Sequence, residues 1–374
     1  MTLLVDARPM IDPLNGGVTR VARGLIPALI KAMPDARFVL ATTGSRRPDQ
    51  FFHSPFSILH SHLSIPNKLW SAACAIGLTS FDRVFSYRCH FERSEKSPFD
   101  FLFLPNIGFI GRPRLPYALL VHDVSFLIEP AWFSQKARLW HKVVHAKQLI
   151  KNATHLFAVS ERTKTDVIHY LNIPADRINV VPMGLDTIAP FPDLPPQLLN
   201  RRFVLALGAN DRRKNAGCAI EAVRLLRQNP KFDDVTLVMT GCPAISNEVR
   251  NLPFSMISRV ARNDNINVLS LGRPSDRALA TLLKNASAFL YPTWYEGFGL
   301  PLHEAAKFGT PCIASTAGAL PETAPTGTRF ASPSKPHLWT EALADVLDHP
   351  LQNKTQTTLG DWSAAASIIA NKLS

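Results

Sequence analysis

Two glutamates eight positions apart, Glu296 and Glu304, bracket a Gly-Phe-Gly turn in YEGFGLPLHEAAKFGTP, residues 295–311. An apolar run ends just before them at Tyr291, and the turn leads into a segment with Pro301 at its start and Gly309 just past its end. Proline is tolerated in a first helical turn because its missing N–H would be unpaired there, and glycine suits a left-handed stop. The pattern predicts strand, turn and helix in that order. Open amides at such a helix start, backed by the macrodipole, favour an anion. The chemistry suggested is a phosphate-bearing ligand flanked by acids. As a glycosidase couple the two acids fit poorly. Eight residues of unbroken helix would separate them by about 12 Å, beyond the roughly 5–9.5 Å used in sugar hydrolysis. The turn at 297–299 shortens that span, so hydrolysis is disfavoured rather than excluded.

A second constellation is GANDRRKN, residues 208–215, which sets Arg212, Arg213 and Lys214 where a helix begins. Cations there make a diphosphate clamp, Arg through its bidentate fork and Lys as a point charge. A solvated, basic helix start explains that string equally well when it stands alone. The acidic turn tips the balance, because it ends another strand of the same predicted sheet. If that domain is doubly wound, both carboxyl edges meet, and clamp, helix start and acids converge on a space the size of a nucleotide sugar. An exposed turn or a first-turn acid would account for either glutamate singly, but not for the whole string.

The elements that must position these residues read as two α/β halves. In the first, a strand at 2–7 is followed by the loop PMIDPLNGG, an amphipathic helix with Val18, Val21, Ala22, Leu25, Ile26, Leu29 and Ile30 on one stripe, and a strand at 37–42. That βαβ opening implies a parallel sheet covered by helices. Residues 45–98 are irregular and read as a surface insertion, with YRCHFERSEKSP at 87–98 structureless by pattern. His53, His60, His62 and His90 within it match no metal-ligand spacing. Strands at 101–105 and 117–123 follow, the latter ending in His122-Asp123. A helix is predicted over 134–152, a strand at 154–160, a helix to 171 with Ser160 as its N-cap, and a strand at 177–184.

Four prolines in residues 187–200 predict a semi-rigid linker. The second half predicts strands at 203–208, 235–241, 266–272, 287–292 and 310–315, several ending in glycine at the carboxyl edge where open α/β sheets bind ligands. The expected division is residues 1–186, the linker, 201–350, and a C-terminal helix in 351–374 that packs back toward the first domain.

Composition bounds the function. A chain of 374 residues, 46% hydrophobic and 19% charged, is globular and long enough for two cores. No stretch has the length of an uncharged membrane span, and Met1-Thr2 runs straight into a strand, so no signal peptide is expected. Five cysteines without C-x-x-C spacing imply free thiols in a cytoplasmic setting. Of the net charge of +12, +8 falls in residues 1–186. That basic half points to an anionic partner, such as a membrane surface. No nucleic-acid motif is present, and no G-x-G-x-x-G opens either half.

Taken together, E-G-F-G-L-P-x-x-E followed by A-x-x-x-G-T-P resembles the E-x7-E signature of family-4 (group 1) retaining glycosyltransferases of GT-B fold. The resemblance extends over Asn15, Gly16 and Gly17, VHDVSFL (121–127), AVSERTKTDV (158–167), VVPMGLD (180–186), RRKN, LGRPSDRALATLLKNASAFLYPT (271–293) and GALPE (318–322). It is most similar to bacterial mannosyltransferase-like enzymes of surface polysaccharide and lipopolysaccharide synthesis. The implied fold is two doubly wound Rossmann-like domains facing a central cleft. The implied activity is metal-independent transfer of a hexose, mannose favoured, from a GDP- or UDP-linked sugar to a lipid-linked or oligosaccharide acceptor. No cofactor and no nucleic acid enter it, and the expected place is the cytoplasm, at the inner membrane face. A nucleotide-sugar epimerase or an inactive nucleotide-sugar-binding protein is the alternative.

The resemblance also implies roles. Glu296 contacts the transferred sugar and stabilises charge near its anomeric carbon; Glu304 binds the ribose hydroxyls. Backbone around Gly297, Phe298, Gly299 and Leu300 holds sugar and phosphate. Arg213 and Lys214, with Arg212, neutralise the leaving diphosphate in place of a metal. Gly16 and Gly17 bring the first domain's backbone close to the phosphates, where a Cβ would obstruct. Gly272 and Arg273 add donor contacts. His122 faces the acceptor and the reacting sugar, with Asp123 and Ser160 on the acceptor side. One departure from the family is Ala209, where many relatives carry Arg, so the clamp must rest on residues 212–214.

Overall fold

The computed structural model describes residues 1–12, 16–44, 58–89, 98–208, 210–241, 268–272, 274–350, 352 and 354–373. The chain forms two compact units, Met1–Gly184 with Gly360–Ser374, and Leu185–Leu359.

The first unit holds seven strands: β1 (Thr2–Asp6), β2 (Arg37–Thr43), β3 (Leu59–Leu63), β4 (Phe101–Leu104), β5 (Tyr117–Val121), β6 (His155–Ala158) and β7 (Ile178–Val180). All pair in parallel in the order β3-β2-β1-β4-β5-β6-β7. Parallel strands covered on both faces are buried throughout, which is why β1 and β5 read as nearly unbroken apolar runs rather than alternating ones. Helix α1 (Gly17–Ala32) buries the predicted stripe, including Val21, Ala22, Leu25, Ile26, Leu29 and Ile30. The C-terminal helix Ser363–Leu373 packs on α1, and Trp362 lies so close to Gly24 that a Cβ there would overlap its ring.

Two expectations for this unit need correction. Residues 58–89, within the stretch read as an irregular surface insertion, are built into the core. They contain β3, paired to β2 over Val39 to Thr43, and helices α2 (Asn67–Ala75) and α3 (Phe81–Cys89). Trp70, Cys74, Phe81 and Phe85 from these helices are all at most 3% exposed and join the core. Each helix has only two buried anchors four residues apart, too few to show as a stripe. Residues 45–57 and 90–97, with His53 and His90, lie outside the described residues. Second, the single helix predicted over 134–152 is two, α5 (Gln135–Val143) and α6 (Ala146–Lys151), preceded by the short α4 (Ser125–Ile128); left-handed His145 breaks the pair. The compact units meet at 184/185 and 359/360, beside the expected division at 186/187 and 350/351.

In the second unit, β8 (Phe203–Ala206), β9 (Thr236–Met239), β10 (Val268–Ser270), β11 (Ala288–Tyr291), β12 (Cys312–Ser315) and β13 (Arg329–Ala331) form a parallel sheet ordered β10-β9-β8-β11-β12-β13. The strand period of two sends Val204, Ala206, Leu290 and Ile313 to one face, under α8 (Ala216–Leu226) and the helix Pro336–Asp348. Phe203, Leu205, Phe289 and Tyr291 go to the other, under the helices Asp276–Asn285 and Leu300–Ala306. The proline-rich stretch is no free linker. Phe191 donates its N–H to Thr281 Oγ1 at 2.8 Å, the Arg277 guanidinium stacks 4.3 Å from the Phe191 ring, and Leu198 is fully buried. Prolines keep the segment extended, and extended chain lies readily along a helix.

In both sheets chain order reverses beside the first strand, at β1/β4 and at β8/β11. Those reversals are where an open α/β sheet opens a crevice at its carboxyl edge.

Candidate functional site

At the β8/β11 reversal the two predicted constellations meet. Ala206 of β8 lies opposite Leu290 of β11, so the loops leaving these strands run side by side. Lys214 donates from Nζ to Glu296 Oε1 at 2.5 Å and to Tyr291 Oη at 2.8 Å, with its ammonium 4.9 Å from the Tyr291 ring centre. Both members of the ion pair are largely shielded, at 20% and 17% side-chain exposure. Burial by itself would lower the Lys214 pKa, but the Glu296 charge and the Tyr291 hydroxyl outweigh it and hold the ammonium above its ordinary value. Burial and the Glu296 charge likewise push Tyr291 up, keeping its phenol protonated. An ammonium has three N–H donors. Among the described residues two are used here.

Local backbone explains the meeting. Gly208 ends β8's extension with φ +74, and a Cβ on it would come within 2.6 Å of Lys214 Cγ, so the lysine stem crosses over a residue that only glycine can be. Asp211 accepts the Arg213 N–H at 2.9 Å, capping the tight turn Arg212–Lys214, and pairs with the Arg213 guanidinium through both oxygens, at 3.2 and 2.8 Å. Burial would raise the Asp211 pKa, but the Arg213 bonds and charge hold it below the usual value. Arg213 is thus already balanced by an acid, Arg212 is exposed, and Lys214 is the cation placed against Glu296. The two loops are tied by Trp294 N–H to Arg213 O at 2.7 Å.

The turn at 296–299 is braced from behind by GALPE. Ala319 donates its N–H to Glu296 O at 2.9 Å. Gly318, at φ +62, sits where a Cβ would lie 2.5 Å from that same oxygen. The Thr323 hydroxyl donates to Phe298 O. Behind Phe298, whose ring stacks on His303 with centroids 5.4 Å apart, His303 Nε2 donates to Thr323 O at 2.7 Å, leaving Nδ1 to accept from the Thr357 hydroxyl at 2.8 Å. Burial holds this imidazole below its ordinary pKa against the opposing Thr323 bond, consistent with a neutral ring.

The predicted helix after the turn starts at Leu300, with left-handed Gly299 before it, and spans Leu300–Ala306. The 12 Å separation of the two glutamates assumed helix from Glu296 onward and therefore does not apply. Glu304 lies half-buried one turn beyond Leu300. Pro301 has no N–H, and Leu302 gives its own to Gly299 O at 3.0 Å, so neither of these two positions offers an amide to an anion. Gly272 follows β10 at φ +59 and accepts from Gly241 N–H, while Gly208 N–H bonds Thr240 O, lacing the glycine-ended strands together. Arg273, Ala209 and Asn15 lie outside the described residues. Gly297 is buried in the turn.

In the first unit, His122 follows β5 and donates from Nε2 to Pro105 O at 2.8 Å, leaving Nδ1 as the lone-pair nitrogen. Burial holds it below its ordinary pKa, outweighing the Pro105 bond and the Asp123 charge. Asp123 Oδ1 accepts from the Ser125 N–H and hydroxyl at 2.9 and 2.6 Å. Ser160 is 2% exposed, and its oxygen caps helix α7 (Glu161–Leu171) by accepting from Thr163 N–H at 3.1 Å. Gly16 and Gly17 open α1, exposed, with nothing among the described residues within 4 Å of a Cβ on either. His60 and His62 lie on β3, and His62 Nδ1 bonds the Thr42 hydroxyl at 2.9 Å. Burial pushes the Cys74 thiol up to about 11 and those of Cys218 and Cys312 to about 12, so none of these is a ready nucleophile.

Sequence reasoning missed Tyr291, Thr323 and His303, and gave no role to Gly208, Asp211 and Gly318 within the motifs it singled out. Asp211 carried a usable signal, an acid two residues before a basic turn; Tyr291 was indistinguishable from any other core aromatic on a strand.

Residues 195–361 match the family model described as glycosyl transferases group 1, and residues 15–188 match that of glycosyltransferase family 4. The O-antigen chain mannosyltransferase B of Escherichia coli is 29% identical over 210 residues, 54% of this chain and 53% of that protein. The MMP alpha-(1->4)-mannosyltransferase of Mycolicibacterium hassiacum is 30% identical over 254 residues, 64% and 59% respectively. The matched region thus spans less than two thirds of either relative. Among solved structures, sucrose-phosphate synthase from Thermosynechococcus elongatus superposes with a TM-score of 0.71 at 19% identity, covering 100% of this chain and 98% of that one. HepE from Anabaena, in complex with UDP and glucose, gives 0.60 at 17%, covering 99% and 94%. At those identities the likeness shows the fold, which is GT-B.

Proposed function

We propose, from the premise that this chain belongs to the group 1 glycosyltransferases of family 4, that it transfers a hexose with retention of configuration from a nucleoside-diphosphate sugar. The observation that carries this reading is the contact of Lys214 with both Glu296 and Tyr291 at the carboxyl-edge crevice of the second sheet. A diphosphate leaving group gains charge as the glycosidic bond breaks. A fixed ammonium answers that charge where it develops, with little reorganisation. Arg213, oriented by Asp211, and exposed Arg212 flank it; metal-independent departure is part of the proposal. Glu296, held by Lys214 on one oxygen, turns its carboxylate toward the sugar and the positive charge at the anomeric carbon. Glu304 takes the ribose hydroxyls, and the backbone at 297–300 the phosphate and sugar.

His122 is the neutral partner for an acceptor or sugar hydroxyl, through the lone pair on Nδ1. Gly16 and Gly17 support the same reading, since no described residue of the chain crowds a Cβ there. Mannose is favoured because two relatives bear that activity in their names. A GDP- or UDP-linked donor and a lipid-linked or glycan acceptor in surface polysaccharide synthesis, at the inner face of the cytoplasmic membrane, complete the proposal.

The test is release of nucleoside diphosphate from a sugar donor, with and without acceptor. Acceptor-dependent release that is lost in Glu296→Gln and Lys214→Ala, with unchanged melting, is the expected result. Release in both variants at the wild-type rate would overturn it, and conversion of the donor sugar without release would point to an epimerase.

A further inference from the structure

The segment that joins the first unit's core through Trp70, Phe81 and Phe85 turns an unusual face outward. On α2, Leu69, Ala72 and Ile76 recur at i, i+3 and i+7, one stripe of a helix, and all are exposed. Leu69 is 64% exposed, Ile76 71%, and Leu78 in the following turn 70%; on α3, Tyr87 reaches 87%. Single exposed apolar residues are ordinary, but a run of them over two helices and their turn is not.

The cations around that face are equally one-sided. Arg83 follows Asp82 on α3, and Asp82 Oδ2 accepts from Arg114 N–H at 2.6 Å and Leu115 N–H at 3.0 Å. A Cβ on Gly111 would touch Thr79 O, so Arg112 also lies beside the Leu78 turn. Lys68, Arg83, Arg88, Arg112 and Arg114 are all exposed. Among the described residues of 58–89 and 98–115 the acids are Asp82, 2% exposed, and Asp100, at the opposite, amino end of β4, where it accepts from Thr2 N–H. The described part of this face carries like charges that disfavour pairing with a copy of itself. It complements lipid phosphates, with apolar side chains for the acyl boundary and Tyr87 suited to the headgroup level.

Its position bears on the reaction. The loop after β4 is held by three carbonyls: Pro105 O by His122, Phe109 O by Arg8 and Trp70, and Ile110 O by Phe81 N–H. That one loop therefore joins the carboxyl edge carrying His122 to the start of α3.

We propose that the outer face of α2, the turn at Leu78 and α3 docks the first unit on an anionic lipid bilayer, Leu69, Ile76 and Leu78 entering the acyl boundary and Arg83, Arg112 and Arg114 meeting lipid phosphates. The purpose, delivery of a lipid-linked acceptor beside His122, rests on the transferase reading; the binding chemistry does not. Co-sedimentation with vesicles of phosphatidylcholine, alone or mixed with phosphatidylglycerol, tests it. The chain sediments with the mixed vesicles and less so as salt rises. Arg83→Ser/Arg112→Ser/Arg114→Ser weakens that binding on the order of a hundredfold, and Leu69→Ser/Ile76→Ser/Leu78→Ser weakens it more than about tenfold. Both variants keep wild-type melting. Equal binding to neutral vesicles, no binding to either, or undiminished binding by both variants overturns the proposal. So does a wild-type dimer that the serine variants dissociate, which would assign the face to another protein surface. Glu296→Gln binds vesicles as wild type does, so a failed catalytic reading leaves this result distinct.

Discussion

The two sheet reversals solve the same geometric problem with different chemistry. At β8/β11 the loops are joined by charge: Lys214, Glu296 and Tyr291 interlock, and Asp211 balances Arg213. At β1/β4 and the neighbouring end of β5, neutral His122 is tied to a backbone carbonyl, and the ion pair present, Arg8 with Asp6, is absorbed by the Phe81 and Trp70 rings and Phe109 O. Under the proposed reading, the second unit meets developing negative charge with a fixed ammonium, and the first offers a neutral imidazole hydrogen-bonded to backbone. That division suits a reaction in which one substrate leaves as a diphosphate and the other attacks through a hydroxyl.

The largest effect that sharpens the comparison is on stability. Phe81→Ala removes a fully buried ring that also faces the Arg8 guanidinium 4.8 Å away, and it should cost about 3–5 kcal/mol. Denaturant melts followed by circular dichroism check this; a loss within error would mean that α3 is no part of the first core. Next, Gly318→Ala must either strain a left-handed residue or move Glu296 O, which lies 2.5 Å from the added Cβ. Transfer should fall by more than about tenfold, whereas alanine at Gly16, with open space around it, should spare melting.

Smaller still is Tyr291→Phe. Removing one Lys214 acceptor while keeping the ring should lower kcat about fivefold to tenfold, more than it changes KM for the donor, because the ammonium loses aim rather than charge. An effect confined to KM would contradict a positioning role.

The smallest is a pH effect. His122 and His303 are held below the ordinary imidazole value of 6.5, so the unfolded chain binds their protons more readily. The stability they contribute is complete above pH 6.5 and is lost as pH falls below it. His122→Gln, which keeps a donor for Pro105 O, should flatten part of that decline in a melting series.

Much of this was legible in the sequence because its signals were long or dense. Apolar strands closed by glycine gave the parallel sheets, and EGFG with RRKN marked two loops at one carboxyl edge. What was illegible had short-range causes. Residues 58–89 hide two core helices because each buries only a pair of anchors, while polar and apolar residues alike face solvent. The proline-rich stretch read as a linker because composition cannot reveal that Arg277 and Thr281 hold it. Tyr291 and the Gly318–Thr323 brace act through contacts between segments distant in sequence, which no local pattern encodes.

The central claim is that a nucleoside diphosphate binds against Lys214 in the second unit. A thermal-shift panel of GDP, UDP and ADP on the wild type and on Lys214→Ala tests it most directly. A ligand at a hundred times its dissociation constant adds about 2.7 kcal/mol, a rise of several degrees for a chain of this size. The account predicts such a rise with GDP or UDP in the wild type and its loss in Lys214→Ala. An equal rise in the variant, or none with any nucleotide, would contradict it.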